Sequence, residues 1–328
     1  MGGTALGEQL SRLSRSKYLA IVKELQTHLQ PKFFGYVEPQ RSLPDKESFG
    51  DVDLIVADNH QIFVPQQHIH SRKSLTNGNI TSFEYDGHQV DLIEVGRTEN
   101  IDLIRLCCDY GDLGMIVGML VRGISMKFGH TGLSISIENH KLKLSRSLPD
   151  ILQFLGYDVE QWRLGFTTEK EIFDFITSSK YFQTKLFRKD DGLDLIESEN
   201  ERSVWNRDVR KRHEKRPMFS RFVAYVQTLP VDCGNIDLYE IRKQAFQYFD
   251  KEEEAKVIEL KIQQNKRIKT KFNGSLVRDW SSGTLSGQAL GKFIAVFKKK
   301  YTEDELDRMT EIDIQTAVMN QLQYYQEH

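Results

Sequence analysis

The run Val52-Asp53-Leu54-Ile55-Val56-Ala57 constrains the fold more than any other stretch of this chain. Its β-branched residues and lack of Gly or Pro read as a strand, and its near-continuous apolar character reads as a strand covered on both faces. Such a strand requires a sheet with packed layers above and below it. Carboxylates nevertheless stand at its mouth: Asp51 and Asp53 follow directly after Gly50. Side chains at i and i+2 share a face. Asp51 and Asp53 therefore point one way, while Val52, Leu54 and Val56 fill the other side.

A second apolar run, His88-Gln-Val-Asp-Leu-Ile-Glu-Val95, carries Asp91 between Val90 and Leu92. If the two strands are neighbours, three carboxylates converge on one spot. Anions brought together repel one another unless cations neutralise them. An oxygen-only donor set of this kind suits Mg²⁺ or Mn²⁺, which bridge substrate phosphates. Two such ions roughly 4 Å apart stabilise the attacking and leaving oxygens of a phosphoryl displacement. The ordinary alternative makes Asp51 a turn cap and leaves Asp53 on an exposed edge. Asp91, together with a glycine that lets backbone approach a phosphate closely, favours the metal site. Asp51 and Asp53 are then expected to hold the metal, and Asp91 to complete it and assist deprotonation of an incoming hydroxyl.

The remaining composition narrows the setting. A chain of 328 residues with 39% hydrophobic and 28% charged residues can bury a large core and form two domains. A formal net charge of -2 gives no strong overall field, so attraction for nucleic acid must come from local patches. Three cysteines, two of them adjacent at Cys107 and Cys108, do not form a secreted disulfide framework. With no bilayer-length apolar run and no apolar leader at the N-terminus, an intracellular protein without a membrane partner is expected.

Along the chain, Ser14–Leu29 reads as an amphipathic helix with Leu19, Val22, Leu25 and Leu29 on one face. Residues 31–50 read as a loop. His60–His70 reads as a strand, on which His68 and His70 share a face without a third metal ligand. Asp86-Gly87 suits a hairpin turn. Residues 101–129 read as helical, Gly132–Asn139 and Lys141–Ser145 as short strands. Two helices follow Pro149, the second capped by Thr168 with Glu171 in a capping box.

The stretches Phe33–Val56 and His88–Val95 resemble the nucleotidyltransferase superfamily of DNA polymerase beta. Ser48-Phe-Gly-Asp-Val-Asp-Leu-Ile-Val56 looks in particular like the palm of the family X polymerases. The likeness extends weakly through Val121–Asn139 and Thr167–Ile176 into a thumb-like segment. It implies an α+β fold with a palm of a small mixed sheet backed by helices. The change from about Phe187 to a helical, charged and increasingly basic composition sets the boundary, with the catalytic domain over residues 1–183 and a mainly helical second domain over 184–328. The likeness implies Asp51, Asp53 and Asp91 as catalytic metal ligands for Mg²⁺ or Mn²⁺. Gly35, Ser48 and Gly50 are expected to contact a (d)NTP, and the charge and position of Arg122 and Lys127 suggest that they reach its triphosphate. The chain departs from the pattern at Gly35-Tyr36, where the superfamily usually carries Gly-Ser or Gly-Gly, which leaves Ser42 or Ser48 to replace the missing serine.

The second half adds a basic cluster of Arg207, Arg210, Lys211, Arg212, Lys215 and Arg216, followed later by Lys269 and Lys271. Such residues bind phosphates without sequence preference, and Trp205, Phe219 and Trp280 offer stacking surfaces for bases. The expected function is transfer of a nucleoside monophosphate from a (d)NTP to a nucleic-acid 3′-hydroxyl, with DNA and RNA, tRNA included, as acceptors. Two alternatives stand: a nucleotidyltransferase that modifies tRNA, a protein or a small molecule, and an inactive nucleic-acid-binding scaffold of the same fold.

Overall fold

The computed structural model describes residues 5–7, 10–96, 101–187, 216–230 and 236–327. It shows a mixed α+β protein with several sheets and a helical C-terminal region. The chain forms two compact units: Met1–Ser136 with Lys143–Phe249, and Ile137–Leu142 with Asp250–His328.

The first unit begins with β1 (Leu13–Ser14) and α1 (Arg15–Leu29), whose N-cap Ser14 accepts from the Lys17 amide. The buried stripe of α1 is Tyr18, Ile21, Val22, Leu25 and Leu29. Leu19 is 52% exposed, so the apolar face lies one residue to the side of the expected one. The segment read as a loop contains two strands, β2 (Phe34–Pro39) and β3 (Ser48–Phe49). Gly35 and Pro39 hid the first. An edge strand tolerates both residues, and β2 is the edge of its sheet.

The central strand β4 (Val52–Asn59) is followed by α2 (Pro65–His68), β5 (Ser74–Asn77), β6 (Ile80–Tyr85) and β7 (His88–Val95). The expected strand over His60–His70 is thus replaced by a short helix with Pro65 in its first turn. His68 Nδ1 accepts from the Val64 amide at 3.0 Å, which ties that ring to its own turn. The main sheet runs β2-β4-β7-β6-β5. β4 and β7 are parallel, and the remaining neighbours are antiparallel. The β6–β7 turn is the expected Asp86-Gly87, with φ of 50° and 78°, and a two-residue hairpin of this type needs both positive.

One face of the sheet presents Val52, Leu54, Val56, Val90 and Leu92 to the stripe of α1. The other presents Ile55, Ala57, Ile93 and Val95 to Ile101 and Ile104 of α3 (Ile101–Cys108). The expected long helix breaks after α3. Tyr110 and Gly111 have positive φ, and α4 (Leu113–Gly123) starts afresh from Asp112. Asp109 is turned inward at this break, where Arg41 and Arg105 hold it.

Strands β8 (Met126–Gly129), β9 (Gly132–Ile137) and β10 (His140–Ser145) form a second sheet, followed by α5 (Leu148–Leu155), α6 (Val159–Leu164) and α7 (Glu169–Thr177). Thr168 caps α7 as expected, accepting from the Glu171 amide at 3.2 Å. The Glu171 carboxylate returns to the Thr167 amide at 2.7 Å, one residue earlier than a capping box requires. The units divide at Phe249, later than the change in composition near residue 183. Helix Pro217–Thr228 is held to the first unit by Phe222 against Phe173 and by Asp112, which accepts from the Phe219 amide and from Arg216.

The second unit is a set of helices, Glu252–Lys271, Gly274–Trp280, Gly287–Lys300, Glu303–Arg308 and Glu311–Glu327. They close over a core that includes Phe272, Phe293, Phe297, Leu306, Ile314 and Val318. Among the described residues, no helix is long and apolar enough to cross a membrane.

Candidate metal centre

The parallel register of β4 and β7 places Asp53 beside Asp91. The next step along is Leu54 beside Leu92 on the opposite face, and then Ile55 beside Ile93 on the acidic face. That face therefore changes from carboxylates at the starting end of both strands to isoleucines two residues on. Helix α3 packs on the isoleucine end. Asp51 precedes β4 on the same side, and Asp51, Asp53 and Asp91 each offer a ligand oxygen within 4.8 Å of the others. The three side chains are half-buried, and a group of this kind could bind a metal ion. The donor set fits: three carboxylate oxygens and no soft ligand.

Electrostatics register the crowding. Burial pushes the Asp53 carboxyl well above its ordinary range, and the negative charges of Asp51 and Asp91 push it further. Burial likewise raises Asp91, with Asp51 adding to the rise while bonds from Ser82 and Gln89 oppose it. Lys46 is the opposing cation. Desolvation lowers its pKa, while Asp53 and Asp51 draw it back up. The segment that carries Lys46 is pinned from the N-terminal side. Arg15 donates to the Lys46 carbonyl at 3.2 Å, and Arg12 donates to the Ser48 hydroxyl at 2.8 Å.

The other expected site residues fare differently. Gly50 lies directly before the acidic pair. Ser48 is in β3, where its hydroxyl is engaged by Arg12. Gly35 belongs to the far end of the sheet. β2 runs antiparallel to β4, and a Cβ at Gly35 would meet Asp58 and His60. At about 3.3 Å per residue, Asp58 lies roughly 16 Å along the strand from Asp53. The part of this connection that does reach the site is Gln40, whose amide donates to the Asp53 carbonyl at 3.1 Å. Arg122 ends α4 and Lys127 lies on β8. Both are exposed, and among the described residues no hydrogen bond or ion pair joins either to the carboxylates.

Arg207, Arg210, Lys211, Arg212 and Lys215 lie outside the described residues, as does Trp205. Arg216 is spent on Asp112. Lys271 donates to the carbonyls of Asp307 and Met309 at 2.6 and 2.8 Å, which makes it a helix-end clamp. Lys269 is exposed. Phe219 is fully buried and so offers no open ring face, while Trp280 is half-buried against the helical core. Residues 250–328 carry 13 Lys and Arg against 13 Asp and Glu, so charge excess does not mark this unit as basic.

Sequence reading missed four participants. Lys46 sits in a stretch read only as loop, and Gln40 likewise. Gln89 and Ser82 are buried polar residues flanking Asp91. Gln89 carried one signal, since it lies two residues before Asp91 and so on its face. Compared with models of protein families and with curated proteins, the chain matches none.

Proposed function

We propose that this protein is a metal-dependent nucleotidyltransferase whose five-stranded sheet serves as the palm. The observation that carries the reading is the parallel pairing of Asp53 with Asp91, with Asp51 converging on them from the same strand mouth. Sheets that bury like charges side by side lose stability by it, and a divalent cation removes that cost.

Asp51 and Asp53 would hold Mg²⁺ or Mn²⁺, with Asp91 as the third ligand. When bound, the ion supplies charge neutralisation for a nucleoside triphosphate and for the developing negative charge on phosphorus. In the reaction the acceptor hydroxyl oxygen forms a bond to the α-phosphorus, the bond from that phosphorus to the bridging oxygen breaks, and pyrophosphate leaves. Asp91 takes the hydroxyl proton. Gly50 leaves room beside the acids for phosphate oxygens, and Lys46 adds a positive charge to that side of the site. A nucleic-acid 3′ end is the acceptor favoured by the basic composition of residues 207–216.

The test is direct. The full chain is incubated with each labelled nucleotide, Mg²⁺ or Mn²⁺, and primed DNA, single-stranded DNA or tRNA, and products are resolved by length. Extension that disappears on Asp53→Asn supports the reading. Absence of transfer to every acceptor, together with no binding of Mg²⁺ and a non-hydrolysable nucleotide by titration calorimetry, points instead to an inactive scaffold.

A further inference from the structure

Gln89 is 2% exposed, and both ends of its amide are engaged. Its Nε2 donates to Oδ1 and Oδ2 of Asp91, each at 3.0 Å. Its Oε1 accepts from the backbone amide of Ala5 at 2.9 Å. Chemistry fixes the orientation. A backbone N–H can only donate, so Oε1 must face Ala5, and the amide nitrogen is left to face the carboxylate. Leu6, the next residue, is buried and anchors the segment that carries this amide. On the other flank, Ser82 of β6 stands directly across from Asp91 in the register.

Both oxygens of Asp91 are thus held by one side-chain donor, within ligand distance of Asp51 and Asp53. A carboxylate has about four lone-pair positions. The single Nε2 of Gln89 bridges both oxygens, which leaves lone pairs on each of them for another partner. That donor opposes the repulsion Asp91 meets from Asp51 and Asp53. Burying a glutamine at this depth is costly unless its amide is fully bonded, and here the bonding partners are a backbone amide and the proposed ligand.

We infer that Gln89, seated on the Ala5 amide, is the positioning residue that holds Asp91 in place to ligate a divalent cation. The inference rests on the metal-dependent reading above, and the test separates the two. Mn²⁺ binding to the full chain is measured by loss of the free-ion electron paramagnetic resonance signal, for the wild type, Asp91→Asn, Gln89→Leu and Ser82→Ala. Thermal melts of the metal-free proteins run in parallel. Groups that orient metal ligands are typically worth about 10–100-fold in affinity, so Gln89→Leu is expected to bind Mn²⁺ about 10–100-fold more weakly while still melting cooperatively. Ser82→Ala, which leaves Gln89 in place, is expected to lose less. Gln89→Leu binding as tightly as wild type, while Asp91→Asn has lost the ion, overturns the positioning role and leaves the metal site standing. A wild-type protein that takes up no Mn²⁺ overturns both. Should Gln89→Leu lose its cooperative melt, Gln89→Asn, which keeps the amide but shortens its reach to Asp91, decides: unchanged affinity in that variant overturns the inference.

Discussion

Asp109 and Asp53 are both carboxylates drawn into the first unit, but their neighbours differ in sign. Asp109 is fully buried and accepts from the Arg41 amide at 2.9 Å and from Arg41 Nε at 2.6 Å, with Arg105 Nη1 at 3.3 Å. Both guanidiniums are themselves fixed. Arg41 lies 4.2 Å over the Trp162 ring and donates to its carbonyl, and Arg105 donates to the Tyr36 hydroxyl at 2.6 Å. Burial still pushes the Asp109 carboxyl up, but both arginines pull against it. Around Asp53 the nearest charges include two more carboxylates, and burial and repulsion act in the same direction. The first arrangement is complete as it stands, and it knits the α3–α4 break to the strand β2 connection. The second sets three acids against Lys46 and could bind a metal ion. Charge buried in balanced company builds the fold, whereas charge buried against its own kind marks a candidate site.

Substitutions sharpen this contrast. The largest effect is expected at Asp53→Asn. A bound cation contributes several kcal/mol of transition-state stabilisation, so nucleotide transfer should fall by about 10³-fold, measured by single-turnover extension. The same variant should melt higher than wild type without metal, because it removes one of three repelling charges. Loss of activity with a lowered melting temperature would place Asp53 among the structural acids.

Asp109→Ala should do the opposite. Removing one member of a buried ion pair leaves its partners uncompensated and costs about 3–5 kcal/mol, read from urea unfolding. An effect below 1 kcal/mol would dissolve the distinction drawn between the two pockets.

Acidity offers a third handle. The Asp53 carboxyl titrates above its ordinary value of 3.8 in the folded chain. The native state therefore holds more protons than the unfolded state as pH rises past that value, and stability falls with rising pH up to the raised folded value. The metal-free protein should show a lower urea midpoint at pH 8 than at pH 5. Saturating Mg²⁺ or Asp53→Asn should shrink that difference. A midpoint that rises over the same interval contradicts the crowding of the three acids.

The smallest effect belongs to the second unit, where charges are exposed or serve helix ends. Thr302 accepts from the Glu305 amide at 3.2 Å while the Glu305 carboxylate accepts from the Thr302 amide at 2.7 Å, a reciprocal cap. Thr302→Ala should lower stability by about 1 kcal/mol, followed by helical circular dichroism during urea unfolding, and leave Mn²⁺ binding as it was.

Local rules made much of this legible. Alternation along Val52–Ala57 and Val90–Val95 assigned the acids to one face, the Asp86-Gly87 pair announced its hairpin, and Thr168 announced the start of a helix. What failed did so for identifiable reasons. Residues 34–39 did not look like a strand because Gly35 and Pro39 are tolerated at a sheet edge, and only pairing with β4 reveals an edge. Pro65 turned an apolar, histidine-bearing run into a helical turn. Lys271 looked like a phosphate ligand because its charge is visible in sequence and its two carbonyl acceptors are not.

The chain's own letters determined which residues could share a sheet face and which three carboxylates were candidates to meet, because side-chain alternation is a property of a single strand. Only the tertiary structure decided that β4 and β7 run parallel with Asp53 against Asp91, that β2 runs the other way and carries Gly35 to the far end, and that Gln89 donates to the third acid with Ser82 across from it. Direction and register are set by contacts between segments distant in sequence, where packing of whole faces chooses among pairings that each strand alone would permit.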